Sequence, residues 1–171
     1  MEITRRQLQY LIKEMISVPP KYLKVENIPL ISRLMKKATA HYTSYDGTIL
    51  KFMQSDGCAT LLDIRLSDDP NRPDALYVEQ IEVLKYPYGE LDQACFGEGY
   101  AKEVLALLAQ EADATGTELY LVASPTTSGK ERAYFELPDK DQLAALYSRY
   151  GFTEDFRNAA QIGMSRQPFV T

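Results

Sequence analysis

The groups in this chain best suited to chemistry are few. Gly97-Glu98-Gly99 stands directly before a helical pattern. Glycines at a helix start leave backbone N–H groups without intrahelical partners, and phosphate oxygens can approach them closely. The same step is equally compatible with ordinary turn chemistry. Cys95 borders this loop, but no histidine lies near it in sequence, so it reads as a small packing residue rather than a nucleophile. His41 is the one histidine. Its imidazole suits proton transfer, yet it follows a helix without a partner motif and reads as a surface or cap residue.

The elements that must position these groups can be read from periodicity. Thr4 and Gln7 resemble a capping box, and Leu8, Leu11, Ile12, Met15 and Ile16 recur at helical spacing until Pro19-Pro20. This predicts an amphipathic helix over residues 1–20, an appendage or a first helix, whose stripe suits docking better than membrane anchoring because Arg, Lys and Glu mix on its polar side. A second helix opens at Asn27-Ile28-Pro29, with Ile31, Leu34, Met35 and Ala38 inward. Ile49–Met53 and Ala59–Leu66 read as strands around an Asp56-Gly57 hairpin signal, and Ala75–Leu84 as another strand. Strand alternation puts Glu79 on the face of Val83 and turns Glu82 away.

Beyond the glycines, Ala101–Ala114 carries a helical stripe that ends at Thr115-Gly116. Leu119–Ala123 is nearly all apolar, the pattern of a central strand covered on both faces. A loop over residues 124–138 precedes a helix started by Asp139 and Gln142 and closed by Gly151, and short strands near Phe152–Phe156 and Gln161–Ser165 finish the chain. No internal repeat is present.

With 171 residues, 45% hydrophobic and 25% charged, the chain fits one soluble α/β domain, residues 21–171 following the first helix. A net charge of −5 excludes a broad phosphate-binding surface, hence no nucleic-acid partner, and tolerates cationic substrates. No 18-residue apolar run marks a membrane span. Lys13 and Glu14 interrupt any export signal, and two cysteines are too few for a disulfide framework. Free thiols in a reducing, cytoplasmic compartment are therefore the expectation.

The segment from about Ala75 to Pro168 is specific enough to carry a resemblance. Gly97-Glu98-Gly99-Tyr100-Ala101 ahead of an apolar helix, then an apolar strand, then Leu146-Tyr147-Ser148-Arg149-Tyr150-Gly151-Phe152, resembles the GNAT superfamily of N-acetyltransferases. Met164-Ser165-Arg166-Gln167-Pro168 is similar to the closing strand of many members. The resemblance implies a twisted mixed sheet flanked by helices, whose central strands splay near Val83 and Leu119. It implies acetyl-CoA as cosubstrate, an amine as acceptor and no metal.

Carried over residue by residue, the resemblance implies that Phe96, Gly97, Glu98, Gly99, Tyr100 and Ala101 hold the coenzyme pyrophosphate. It places the pantetheine arm against the backbone at Ile81 and Val83. Tyr147 matches the tyrosine that protonates the departing thiolate; a phenol suits this because its ordinary pKa of about 10 lies close to that of a thiol. Glu79 stands where several members bind the amine or take its proton. Two departures are visible: Phe96 replaces the usual Gln or Arg, and residues 84–95 include extra sequence around Tyr86-Pro87-Tyr88-Gly89.

The expected activity is acetyl transfer to a primary amine by direct attack, without a covalent enzyme intermediate. The departures also fit a GNAT-fold protein of weak or lost turnover, acting as an acyl-CoA-binding, regulatory or interaction module. A third reading is a scaffold docked through its first helix. The residues leave open a small-molecule or protein amine, and they leave self-association open.

Overall fold

The computed structural model describes residues 24–85, 93–96, 99–125 and 137–169. The expected first helix lies outside them, as do Gly97, Glu98, residues 86–92 and most of the 124–138 loop. Within the described residues the chain begins with a short 3-10 turn at Val25–Asn27 and helix α1, Pro29–Lys37. Pro29 occupies the first helical position, where its missing N–H costs nothing. Leu30, Ile31 and Leu34 are buried, while Arg33 and Lys37 reach the carboxylate of Glu111.

Strand β1, Ala40–Thr43, was not legible as a strand, and His41 lies exposed on it at the sheet edge. Strands β2, Gly47–Met53, and β3, Cys58–Leu66, form the expected antiparallel hairpin, Met53 opposite Ala59. Its turn is closed by Gly57 N–H donating to the Gln54 carbonyl at 3.2 Å and by Cys58 N–H donating to Asp56 Oδ1 at 2.9 Å. Strand β4, Leu76–Lys85, pairs antiparallel with β3.

Helix α2, Tyr100–Thr115, then crosses to strand β5, Leu119–Ala123, and helix α3, Lys140–Ser148, leads to β6, Thr153–Arg157, and β7, Ile162–Arg166. Helix α3 starts on the capping box read from Asp139 and Gln142, the two residues exchanging hydrogen bonds at 2.8 and 2.9 Å. The seven strands form one sheet in the order β1-β2-β3-β4-β5-β7-β6, antiparallel except for β4 and β5.

One face of this sheet carries the core. Leu50, Leu62, Ile64, Leu76, Val78, Leu119, Leu121, Ile162 and Met164 pack with Leu30, Leu34, Val104, Leu108 and Ala144 from the helices. Each such side chain contributes about 2 kcal/mol on full burial. Two buried charges in this layer are paired: Glu111 with Arg33 and Lys37, and Arg166 with Asp113 at 2.7 and 2.8 Å. Strand β5 departs from expectation here. Leu119, Leu121 and Ala123 are buried, but Tyr120 and Val122 are only half-buried on the other face, so the strand is central without being covered on both sides.

Cys58 and Cys95 form a disulfide across 37 positions, and no described cysteine is free. The expectation of free thiols is thereby corrected, and the cysteine count no longer argues for a reducing compartment. Two cysteines far apart in sequence gave no pairing signal. Their meeting depends on the β3–β4 register, which sets Cys58 opposite Lys85 at the end of β4 from which the chain runs on to Cys95.

Candidate functional site

The site starts from how β4 meets β5. The two strands pair in parallel over Leu76, Tyr77 and Val78, opposite Leu119, Tyr120 and Leu121. There the pairing stops. Strand β4 continues from Glu79 to Lys85 paired only with β3, while β5 continues paired with β7. Among the described residues no second strand is paired with β4 beyond Val78. Ile81 and Val83 lie beyond the separation, opposite Leu62 and Thr60 on β3.

A register shift marks the point of separation. Asp63 faces Gln80 whereas Ile64 faces Val78, so Glu79 is an extra residue bulged out of the β3–β4 ladder. The bulge resets alternation. Ile81 packs against the core, as Leu62 does, and Glu79 is exposed beside Tyr77 on the other face. The expectation that Glu79 shares a face with Val83 is therefore corrected. Glu82 is turned away from Ile81 and Val83, as alternation expects, and accepts a hydrogen bond from Gln80 at 2.9 Å; the bulge turns Glu79 away from Val83 as well. A one-residue bulge inverts every face assignment beyond it, and period-two reasoning has no way to register one.

The glycine loop stands at the far end of β4. Gly99 caps α2 with φ +85°, a left-handed conformation that favours glycine, and a Cβ placed there would meet nothing within 4 Å. Cys95 and Phe96 precede the glycines. Tyr100 donates its hydroxyl to Asp56 Oδ2 in the β2–β3 turn, and Lys85 Nζ donates to the Asp56 carbonyl at 3.2 Å. The Tyr100 hydroxyl, then the Cys58 N–H, hold the Asp56 carboxyl below its ordinary range. Disulfide and tyrosine thus tie both flanks of the loop to the same hairpin turn. Phe96 and Ala101 are half-buried, and Gly97 and Glu98 lie outside the described residues.

Tyr147 sits on the last turn of α3, packed with Leu143 and Tyr150 against the core and tilted on Phe152 with ring centroids 6.1 Å apart. Burial pushes its phenol up to about 12. It therefore holds its proton at neutral pH, but it is a weaker acid than the ordinary value near 10 used to match it to a thiol. His41 is exposed on β1, away from the β4–β5 separation and next to β2 alone. Among the described residues no three His, Cys, Asp or Glu side chains group as a metal site, and no helix is long and apolar enough to cross a membrane.

Antiparallel β1 to β4, a parallel β4–β5 pair, a glycine-capped helix between them and flanking helices make up the mixed sheet that the sequence resemblance implies, but the strands part after Val78 and Leu121 rather than at Leu119, which is paired with Leu76. The chain has a GNAT-like fold.

No protein-family model and no curated protein matches the sequence. Solved structures overlap it loosely. A GNAT-family acetyltransferase from Listeria monocytogenes aligns at 12% identity and TM-score 0.43, over 94% of this chain and 82% of that one. Arabidopsis thaliana Naa50, in complex with the bisubstrate analogue CoA-Ac-MVNAL, aligns at 14% identity and TM-score 0.39, over 98% of this chain and 96% of that one. A Pyrococcus horikoshii protein aligns at 13% identity and TM-score 0.43, over 82% and 73%. Overlaps this loose carry no argument about activity or substrate, and the GNAT-like fold rests on strand order and pairing.

The other side of the separation is lined by two tyrosines to which no motif points. Tyr77 and Tyr120, paired in register on β4 and β5, stack with centroids 4.8 Å apart and planes at 26° on the face away from the helices. They floor a cleft of ≈ 700 Å³ that also takes in Asp46, Arg65, Asp68 and Glu79. Tyr120 donates to Asp68 at 3.4 Å. The available signal was a tyrosine flanked by apolar residues in each strand, Tyr77 between Leu76 and Val78 and Tyr120 between Leu119 and Leu121, where the hydroxyl needs a wet side.

Proposed function

We propose that this protein is an N-acetyltransferase that moves the acetyl group of acetyl-CoA to a primary amine by direct attack. The observation that carries this reading is the parting of β4 from β5 after Val78 and Leu121, lying between a glycine-capped helix start at one end and an acidic cleft at the other. Such a parting suits an extended, amide-bearing ligand in the manner of an added strand. The α2 N-terminus, with open space at Gly99, favours phosphate oxygens through its helix dipole.

Acetyl-CoA supplies the activated carbonyl as a thioester. The backbone around Ile81 and Val83 aligns its arm, and residues 96–101 hold its pyrophosphate. Glu79, freed from the ladder by its bulge, binds the incoming amine and draws off its proton. Tyr147 holds a proton at its hydroxyl for the departing sulfur. The raised phenol keeps that proton in place throughout the physiological range, so Tyr147 contributes no alkaline limb to the rate profile below about pH 10.

Thermal unfolding with acetyl-CoA tests the reading. Ligand at a hundred times its Kd adds about 2.7 kcal/mol of stability, a rise in Tm of about 5 to 10 °C for a chain of this size, whereas free adenosine gives little. Tyr147→Phe lowers kcat about 100-fold and leaves the acetyl-CoA Kd unchanged. No shift with acetyl-CoA overturns the coenzyme assignment, and an unchanged kcat removes Tyr147 from the chemistry.

A further inference from the structure

The cleft beyond the β4–β5 separation has a chemical character of its own. Its floor is the Tyr77–Tyr120 stack, two rings held side by side by in-register strands rather than by flexible side-chain contacts. Its rim carries Asp46, Asp68 and Glu79. One cation, Arg65, also lines it, but that guanidinium is already spent. It donates to both Asp63 oxygens at 2.8 and 2.9 Å and to both Asp46 oxygens at 3.2 Å. What remains facing the space is two carboxylates above two electron-rich rings.

Both phenols are shifted upward, Tyr77 by burial and then by the charge of Glu79, and Tyr120 by burial with Asp68 close by. The rings stay neutral, and their faces lie in a negative field. Aromatic faces attract cations, carboxylates attract them further, and a stacked pair also offers a flat apolar surface on which methylene groups can lie. An anionic or neutral polar ligand gains none of these contacts. The volume suits a small molecule rather than a folded partner.

We propose that this cleft takes an aliphatic diamine or polyamine as the acetyl acceptor. One amine reaches Glu79 at the strand separation, the methylene chain lies on the Tyr77–Tyr120 stack, and a second ammonium sits by Asp68. This rests on the transferase reading and adds to it the substrate class: the acceptor must carry a second positive charge, spaced by apolar carbon from the reacting nitrogen.

The test compares spermidine with n-butylamine, which has the same kind of reacting amine and no second charge, at saturating acetyl-CoA on the full chain. Spermidine is expected to have a kcat/KM at least about tenfold higher, narrowing in high salt because one exposed charge pair and one cation–ring contact supply the difference. Asp68→Asn and Tyr120→Leu should each shrink the spermidine-to-butylamine ratio by about fivefold. Equal kcat/KM for the two amines, or a ratio that neither variant moves, overturns the inference while leaving the transferase reading intact. Calorimetry with spermidine on the protein without acetyl-CoA separates the two further. Should acetyl-CoA fail to bind, the transferase reading falls, yet spermidine heat lost in Asp68→Asn still upholds a polyamine site, and absence of heat from the unmutated protein removes it.

Discussion

The two ends of β4 are built on different principles. Its Lys85 end is braced by a covalent bond and by side-chain hydrogen bonds: the Cys58–Cys95 disulfide, the Tyr100 hydroxyl on Asp56, and the Lys85 ammonium on the Asp56 carbonyl all converge on one hairpin turn. Its Tyr77 end is lined by side chains on an open face, with a bulge exposing Glu79 and two stacked rings holding the floor. A backbone cradle fixed at both flanks recognises one unvarying group, such as a pyrophosphate, at low reorganisation cost. A cleft of side chains can be retuned residue by residue without disturbing that cradle. Perturbations at the braced end should therefore act on coenzyme, and those at the open end on acceptor.

Reducing the disulfide gives the largest effect. Closing a loop across 37 positions restricts the unfolded chain by about 4 kcal/mol in the chain-entropy picture. Cys58→Ser/Cys95→Ser, or treatment with a dithiol, should lower Tm by about 10 °C and weaken acetyl-CoA binding more than spermidine binding. Equal losses for both ligands would show that the disulfide supports the whole domain and that the braced end has no special role. Arg166→Met is the calibrating comparison. Arg166, 3% exposed, donates to both Asp113 oxygens and to the Tyr150 carbonyl, so truncation leaves a carboxylate and a carbonyl without their partner and costs about 3 kcal/mol. Neither of these partners belongs to an end of β4, and the variant should lower Tm without changing the ratio of the two affinities.

How much of this was legible depends on whether the signal is local. The capping box at Asp139 and Gln142, the Asp56-Gly57 turn, the stripe of α2 and its glycine ends are written in adjacent residues, and the structure has each of them. The order of elements then implied the sheet. Three features depend on register between distant segments and were not legible. The bulge at Glu79 exists only relative to β3, the disulfide only because Cys58 faces Lys85, and the tyrosine stack only because Tyr77 pairs with Tyr120. At the site, the identity of Glu79 and Tyr147 was readable, but their surroundings were not: the face that Glu79 presents was reversed, and the burial that raises Tyr147 had no sequence counterpart.

Gly99→Ala probes the braced end with a smaller perturbation. The backbone there has φ +85°, which costs an alanine about 1 kcal/mol, while open space around the added methyl removes any clash. If the helix start serves only as a fold element, the variant loses that stability and nothing else. If it cradles phosphate, acetyl-CoA affinity falls by about fivefold or more as the amides move, since a tenfold change corresponds to about 1.4 kcal/mol, and spermidine affinity holds. Isothermal titration with each ligand reads both outcomes from one protein.

Acid titration gives the smallest and most local check. Hydrogen bonds from Arg166, then the Phe169 N–H, hold the Asp113 carboxyl below its ordinary value against the opposing effect of burial. A carboxyl depressed in the folded state contributes stability that is fully present above its unfolded value of about 4 and is lost as pH falls through the folded one. Glu111 acts in the same direction, because Arg33, then Lys37, depress it. Denaturant midpoints should therefore be insensitive to these pairs at neutral pH and decline below about pH 4. In Arg166→Met the Asp113 share of that decline shrinks to what the Phe169 N–H supplies while the Glu111 share persists, so the acid limb becomes shallower without vanishing. Neither pair lies at the cleft or the glycine loop, and the ratio of acetyl-CoA to spermidine affinity should not follow this titration. A ratio that did follow it would mean that the helix layer and both ligand sites respond as one unit, and the contrast between the two ends of β4 would lose its meaning.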